Sequence, residues 1–157
     1  MTTISTEPRT CSVARTLEIV GEKWALLAVR EVFLGNRRFD EMVRKTGAPR
    51  DTMTARLKSL VAAGVLERRA VSEHPPRFEY RLTEAGLDLY PVIVALMQWG
   101  DRYRSDGEAP MVLTHRCGHT LGAVTTCSSC GEAILARDVR PTPRRNDERH
   151  LDATSAP

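Results

Sequence analysis

Four cysteines and four histidines carry most of the reactive chemistry in this 157-residue chain. Three of the cysteines fall close together: Cys117, then Cys127 and Cys130 as a C-x-x-C pair followed by Gly131, with His115 and His119 flanking Cys117. Three thiolates and one imidazole make a tetrahedral zinc set, because Zn2+ takes sulfur and nitrogen donors at four positions. The spacing predicts a small zinc-ribbon-like module over residues 111–139, holding Zn2+ through Cys117, His119, Cys127 and Cys130. His119 is the expected fourth ligand, since Cys-Gly-His can close a tight knuckle; His115 is the alternative. The segment has few large apolar residues (Leu113, Leu121, Val124, Ile134 and Leu135), so a metal would help it fold. Without metal it reads as a β-hairpin with ordinary thiols, packed on a dimer. The same C-x-x-C could serve thiol–disulfide exchange, but that chemistry needs a helix start after a strand in a βαβ unit. Here the flanks are turn-like and no parallel sheet is in prospect. No Ser/His/Asp set, paired carboxylates or Gly-rich phosphate loop stands out, so the expectation is a protein without enzymatic activity.

The second group with chemical potential is cationic. Net charge is only +3, but it is unevenly placed. Residues 36–81 hold eleven basic and six acidic side chains, whereas residues 82–110 hold two and five. A localised basic block beside a neutral or acidic remainder suits a polyanionic partner; its plain alternative is an uneven solvated face. Aromatic residues are only 5% of the chain, which argues against gripping single strands by stacking bases on rings. No apolar run reaches the ~18 residues that a membrane span needs, and the first residues lack the basic-then-apolar order of a signal peptide. The expected location is cytoplasmic, where cysteines serve as thiols, ligands or sensors more often than as disulfides.

The elements that must position these groups follow from apolar periodicity. Val13, Leu17 and Val20 mark a first helix stopping near Gly21, and residues 23–34 a second helix with a wide apolar arc. Residues 39–45 read as a short third helix with Phe39, Met42 and Val43 inward, and residues 46–49 as a tight connection. The fourth helix, residues 50–63, turns Met53, Leu57, Leu60 and Val61 inward. Residues 65–72 and the alternating Phe78, Tyr80 and Leu82 predict a hairpin, with residues 73–77 as its turn. Thr83 caps a last helix to about residue 104, bent or restarted near Pro91. An apolar stripe (Leu89, Ile93, Leu96, Met97, Gly100, Tyr103) runs along it. Residues 1–10 are expected to form a flexible arm, residues 11–104 the main domain and residues 140–157 a disordered tail.

Two helices joined by a four-residue turn, then a hairpin, describe a winged helix-turn-helix. The fold class is therefore mainly α with a β-hairpin wing (α+β), plus the small C-terminal Cys/His module. Arg50, Thr52, Thr54 and Arg56 project from the first half of the fourth helix, the end that reaches base edges in the major groove of double-stranded DNA. Lys58 is better placed for phosphate. Arg68 and Arg69 on the first wing strand, and Arg77 at the wing tip, could reach the flanking backbone. Arg37 and Arg38 precede the third helix, whose N-terminus could also face phosphate. Asp51 repels phosphate and is assigned to the start of the fourth helix. Arg56 has a structural alternative, pairing with Asp40 or Glu41. A protein-binding adaptor using the same domain would lack the steep salt dependence of a DNA binder.

Residues 11–102 resemble the HxlR-type winged-helix transcriptional regulators. The likeness rests on the Cys11-to-Trp24 opening, Arg37-Arg38-Phe39, Thr54-x-Arg56-Leu57 and the run HPPRFEYRLTEAG. It implies a homodimer on an inverted-repeat operator, usually a repressor, with the first and last helices as the dimer contact. It also places Cys11 where some members carry a redox-sensing cysteine, and thiols at helix N-termini react readily. An oxidant or a small-molecule effector is thus an expected input. The alternative for Cys11 is a small apolar residue at the interface.

Overall fold

The computed structural model describes residues 11–141; the expected arm (residues 1–10) and nearly all of the expected tail lie outside them. The described chain divides into two units between Leu113 and Thr114.

The first unit is built on four helices: α1 (Ser12–Val20), α2 (Lys23–Phe33), α3 (Phe39–Thr46) and α4 (Arg50–Ala62). A two-stranded antiparallel hairpin follows, β1 (Leu66–Glu73) and β2 (Pro76–Leu82), then α5 (Glu84–Leu87) and α6 (Tyr90–Arg104). The core is the apolar seam foreseen for α2, α3 and α4. Ala28, Val29, Met42, Met53, Leu57 and Leu60 are fully enclosed, and Leu66 at the root of the wing joins them. Each large side chain so enclosed contributes about 1.5–3 kcal/mol of hydrophobic stabilisation. The one buried charged residue is Glu31 among the described residues. Its carboxylate accepts bonds from the Arg30 guanidinium and from Asn36 Nδ2 at 2.6 Å, which fastens the loop leaving α2.

The α3–α4 connection turns on Gly47, whose φ of 72° is left-handed and would strain any residue with a Cβ. Ala48 behind it is buried. Asp51 sits in the first turn of α4, where its charge complements the helix dipole.

The wing differs from expectation. Its loop is only His74 and Pro75, because pairing continues to Glu73 opposite Pro76. A proline is tolerated as the first residue of a strand, so the run 73–77 does not all become turn. The register shifts between Ala70 and Ser72. At the other end the wing is anchored twice: the Tyr80 N–H donates to the Arg37 carbonyl at 2.9 Å, and the Thr83 hydroxyl lies 2.5 Å from the Gly64 carbonyl. Thr83 also accepts from the Gly86 N–H at 3.2 Å, as a helix cap should. The helix it starts is short. It stops at Leu87, and α6 begins afresh with Pro91 in its first turn, where a missing N–H costs nothing.

The second unit has no long element in its described part. It contains two isolated bridges, Thr114 with Thr120 and Thr126 with Ala133, and a single 3-10 turn at Ala136–Asp138. Among the described residues, no helix is long and apolar enough to cross a membrane.

Candidate nucleic-acid interface

Three cations of the basic block, Arg38, Arg68 and Arg77, line one groove of the first unit. A groove of about 430 Å³ runs between the α3–α4 corner and the wing, with Arg38, Thr54, Arg68 and Arg77 among its lining residues and Phe39, Phe78 and Tyr80 as its apolar wall. Four of the sequence-assigned residues, from the cap of α3, from α4, from β1 and from β2, are thereby brought together. The groove is wide open to solvent and cationic, which suits a polyanion better than an apolar ligand.

Two arginines are held by partners that the sequence did not disclose. The Arg50 guanidinium lies 2.8 Å from Asp40 Oδ1 and 4.8 Å above the Phe39 ring. Arg68 stacks 3.6 Å over Phe78. Such contacts present a guanidinium in a set direction and spare it part of the entropy cost of binding. Asp40 and Phe78 are the positioning residues that sequence reasoning missed. Asp40 lies ten positions before Arg50 and on another helix, a pairing no local spacing rule anticipates.

The remaining assignments separate by exposure. Arg37, Thr54 and Lys58 are exposed, and Thr52 is half-buried. The Thr54 hydroxyl donates to the Arg50 carbonyl at 2.9 Å. Arg56 is half-buried, with its Nε enclosed and unpartnered. The pairing foreseen for it as an alternative does not form, since Asp40 is taken by Arg50. Arg68 and Arg69 part company, as successive strand residues must. Arg68 lines the groove, whereas Arg69 makes a 2.7 Å ion pair with Glu67.

On other surfaces of this unit, α1 buries only Val20, leaving Val13 and Leu17 exposed. Along α6 only Val94 is buried, while Val92, Leu96, Trp99 and Tyr103 are exposed. Cys11 sits at the N-cap position of α1, exposed and making no side-chain cap bond. An apolar cavity of about 380 Å³ lies between α2 and α6, with Leu27, Phe33, Ile93, Met97, Met111 and Leu113 in its wall.

In the second unit two pairs of donors form, His115 with Cys117 and Cys127 with Cys130. His115 Nδ1 lies 3.2 Å from Cys117 Sγ. Cys127 is bonded by the backbone N–H groups and side chains of Cys130 and Ser129, which hold its thiol below the usual cysteine range. Among the described residues no three His, Cys, Asp or Glu side chains gather at one point. The expected quartet of Cys117, His119, Cys127 and Cys130 is therefore not assembled, because each turn brings together only its own two donors. The C-x-x-C lies in a bridged turn rather than at a helix start, unlike the setting that thiol–disulfide exchange requires.

Comparison with known proteins bears on this geometry. The profile of the HxlR-like helix-turn-helix family matches residues 19–108. Rv3095 of Mycobacterium tuberculosis, an uncharacterized HTH-type transcriptional regulator, is 49% identical over 134 residues, covering 84% of this chain and 85% of that protein. The crystal structure of PA1607, a candidate transcription factor, is similar with a TM-score of 0.77 at 34% identity, covering 86% of this chain and 96% of that one. The redox regulator HypR in its oxidized form is similar over 60% of this chain and 99% of its own, with a TM-score of 0.54 and 32% identity.

Proposed function

The chain belongs to the HxlR-like helix-turn-helix family of transcriptional regulators, and from that premise we propose that it is a homodimeric repressor that binds an inverted repeat in duplex DNA. One observation carries the reading: α4 and the wing enclose a single cationic groove containing Arg38, Thr54, Arg68 and Arg77. A recognition helix in the major groove, flanked by a wing on the adjacent backbone, needs this arrangement of charge. Arg50, Thr52, Thr54 and Arg56 read base edges. Arg37, Arg38, Lys58, Arg68, Arg69 and Arg77 meet phosphate. The exposed apolar residues of α1 and α6 supply the twofold contact, which sets the two α4 helices about 34–36 Å apart on one face of B-DNA.

Selection of bound sequences from random duplexes tests this directly. The expected product is a palindromic consensus whose half-sites are centred about one helical turn apart. Failure to enrich any sequence, or enrichment of a single unrepeated half-site, would overturn it. An oxidant is the favoured input, because Cys11 stands exposed at the start of α1, inside the proposed dimer contact. Peroxide treatment should lower operator affinity for the parent chain and leave Cys11→Ser unaffected. Equal responses in the two proteins would remove Cys11 from the mechanism.

A further inference from the structure

Beyond DNA binding, we propose that the second unit is a zinc-dependent fold in which His115, Cys117, Cys127 and Cys130 share one Zn2+, with His115 rather than His119 as the nitrogen ligand. The proposal rests on a repeated construction. Each half of the unit is a turn closed by one antiparallel bridge, Thr114 with Thr120 and Thr126 with Ala133. In the first, the His115 N–H donates to the His119 carbonyl at 2.9 Å and the Gly118 N–H returns to the His115 carbonyl at 2.8 Å. In the second, the Cys127 N–H donates to the Glu132 carbonyl at 2.9 Å and the Gly131 N–H returns to the Cys127 carbonyl at 2.8 Å. Gly118 and Gly131 both have positive φ, 87° and 76°. His115 therefore occupies the place of Cys127, Cys117 that of Cys130, and Gly118 that of Gly131. His119 corresponds to Glu132, on the outgoing arm beyond the glycine. Each turn offers two donors directed by one backbone scaffold.

The donors suit the metal. Zn–S near 2.3 Å and Zn–N near 2.0 Å place neighbouring tetrahedral ligand atoms roughly 3.5 Å apart, and His115 Nδ1 and Cys117 Sγ stand 3.2 Å apart. Three thiolates with one imidazole favour zinc over harder cations.

The unit also lacks any other visible means of support. Among residues 114–141 none is buried, and only Leu121 and Cys127 are half-buried. Val124, Ile134, Leu135 and Val139 are exposed, and the unit's three cysteines are free thiols. So small a unit without a core needs a disulfide or a metal to hold one conformation. The two donor pairs are separate, so the ion's part is to draw the turns together about the link 121–125. That coupling of binding to folding is usual for small zinc modules.

The test uses the untagged full-length chain purified under reducing conditions. Elemental analysis should find one zinc per chain in the parent. Cys127→Ser and His115→Ala should lower zinc content at least tenfold, whereas His119→Ala keeps it. Removing zinc with a chelator should make residues 114–141 sensitive to protease while the winged unit keeps its melting transition, and added Zn2+ should restore protection. Substituted Co2+ should give the absorption of a tetrahedral three-sulfur, one-nitrogen site in the parent and in His119→Ala. A metal-free parent whose second unit resists protease overturns the proposal. A Cys127–Cys130 disulfide in the reduced preparation does the same. Zinc lost from His119→Ala but kept by His115→Ala overturns the ligand assignment.

Discussion

Arg50 is where charge, geometry and specificity meet in one side chain. Its ion pair with Asp40 is exposed, with the two side chains 63% and 80% accessible, and exposed pairs contribute only about 0.2–1 kcal/mol. Asp40 is therefore a poor stabiliser but a good guide for the guanidinium. Asp40→Ala should leave the melting temperature within about 2 °C of the parent while relaxing base preference at the position Arg50 reads. Binding to the selected operator and to random duplex, measured side by side, would separate the effects; equal loss on both sequences would reduce Arg50 to a phosphate contact. The residue types were legible without coordinates, since arginine and threonine on the polar face of a helix suggest base and phosphate contacts. Their partners were not, because Asp40 and Phe78 lie on other elements and reach Arg50 and Arg68 only through the fold.

At the scale of elements, α4 has two faces with separate duties. Its inner face, Met53, Leu57 and Leu60, is fully enclosed. Leu57→Ala should cost about 2–5 kcal/mol through lost transfer energy and the cavity left behind, lowering the melting temperature by about 10 °C or more. Operator affinity measured well below that temperature should stay within about twofold, because the outer face keeps its side chains; a large loss of affinity in the folded variant would show that core packing sets the pitch of α4. The four helices were readable to within a residue or two, since apolar side chains recur at helical spacing and their ends carry glycine or proline. The wing turn was read too long, whereas the restart of the last helix near Pro91 was anticipated. Both places lie beside prolines, where a residue without an N–H can begin an element as readily as end one. Arg68 and Arg69, adjacent in sequence, are placed differently by the strand's alternation.

For the molecule as a whole, the apolar surface left on α1 and α6 is the feature that a single chain leaves unexplained. Leu17 is 53% exposed and Trp99 54%, and such side chains gain about 25 cal/mol for each Å² removed from water. Trp99→Glu should convert a dimer to a monomer by sedimentation analysis and steepen the loss of operator binding on dilution, and the melting temperature of the first unit should lose its dependence on protein concentration. A Trp99→Glu chain that still sediments as a dimer would move the twofold contact elsewhere.

What the amino-acid order determined unaided was the succession of elements, the faces they bury and the chemical class of the partner. These are properties of periodicity and charge, written within a few neighbouring positions. Tertiary structure alone decided which cations share a groove, which carboxylate steers Arg50 and which histidine stands in the place of a cysteine. Those relations join residues on different elements or in different turns, and only the folded backbone sets the distances between them.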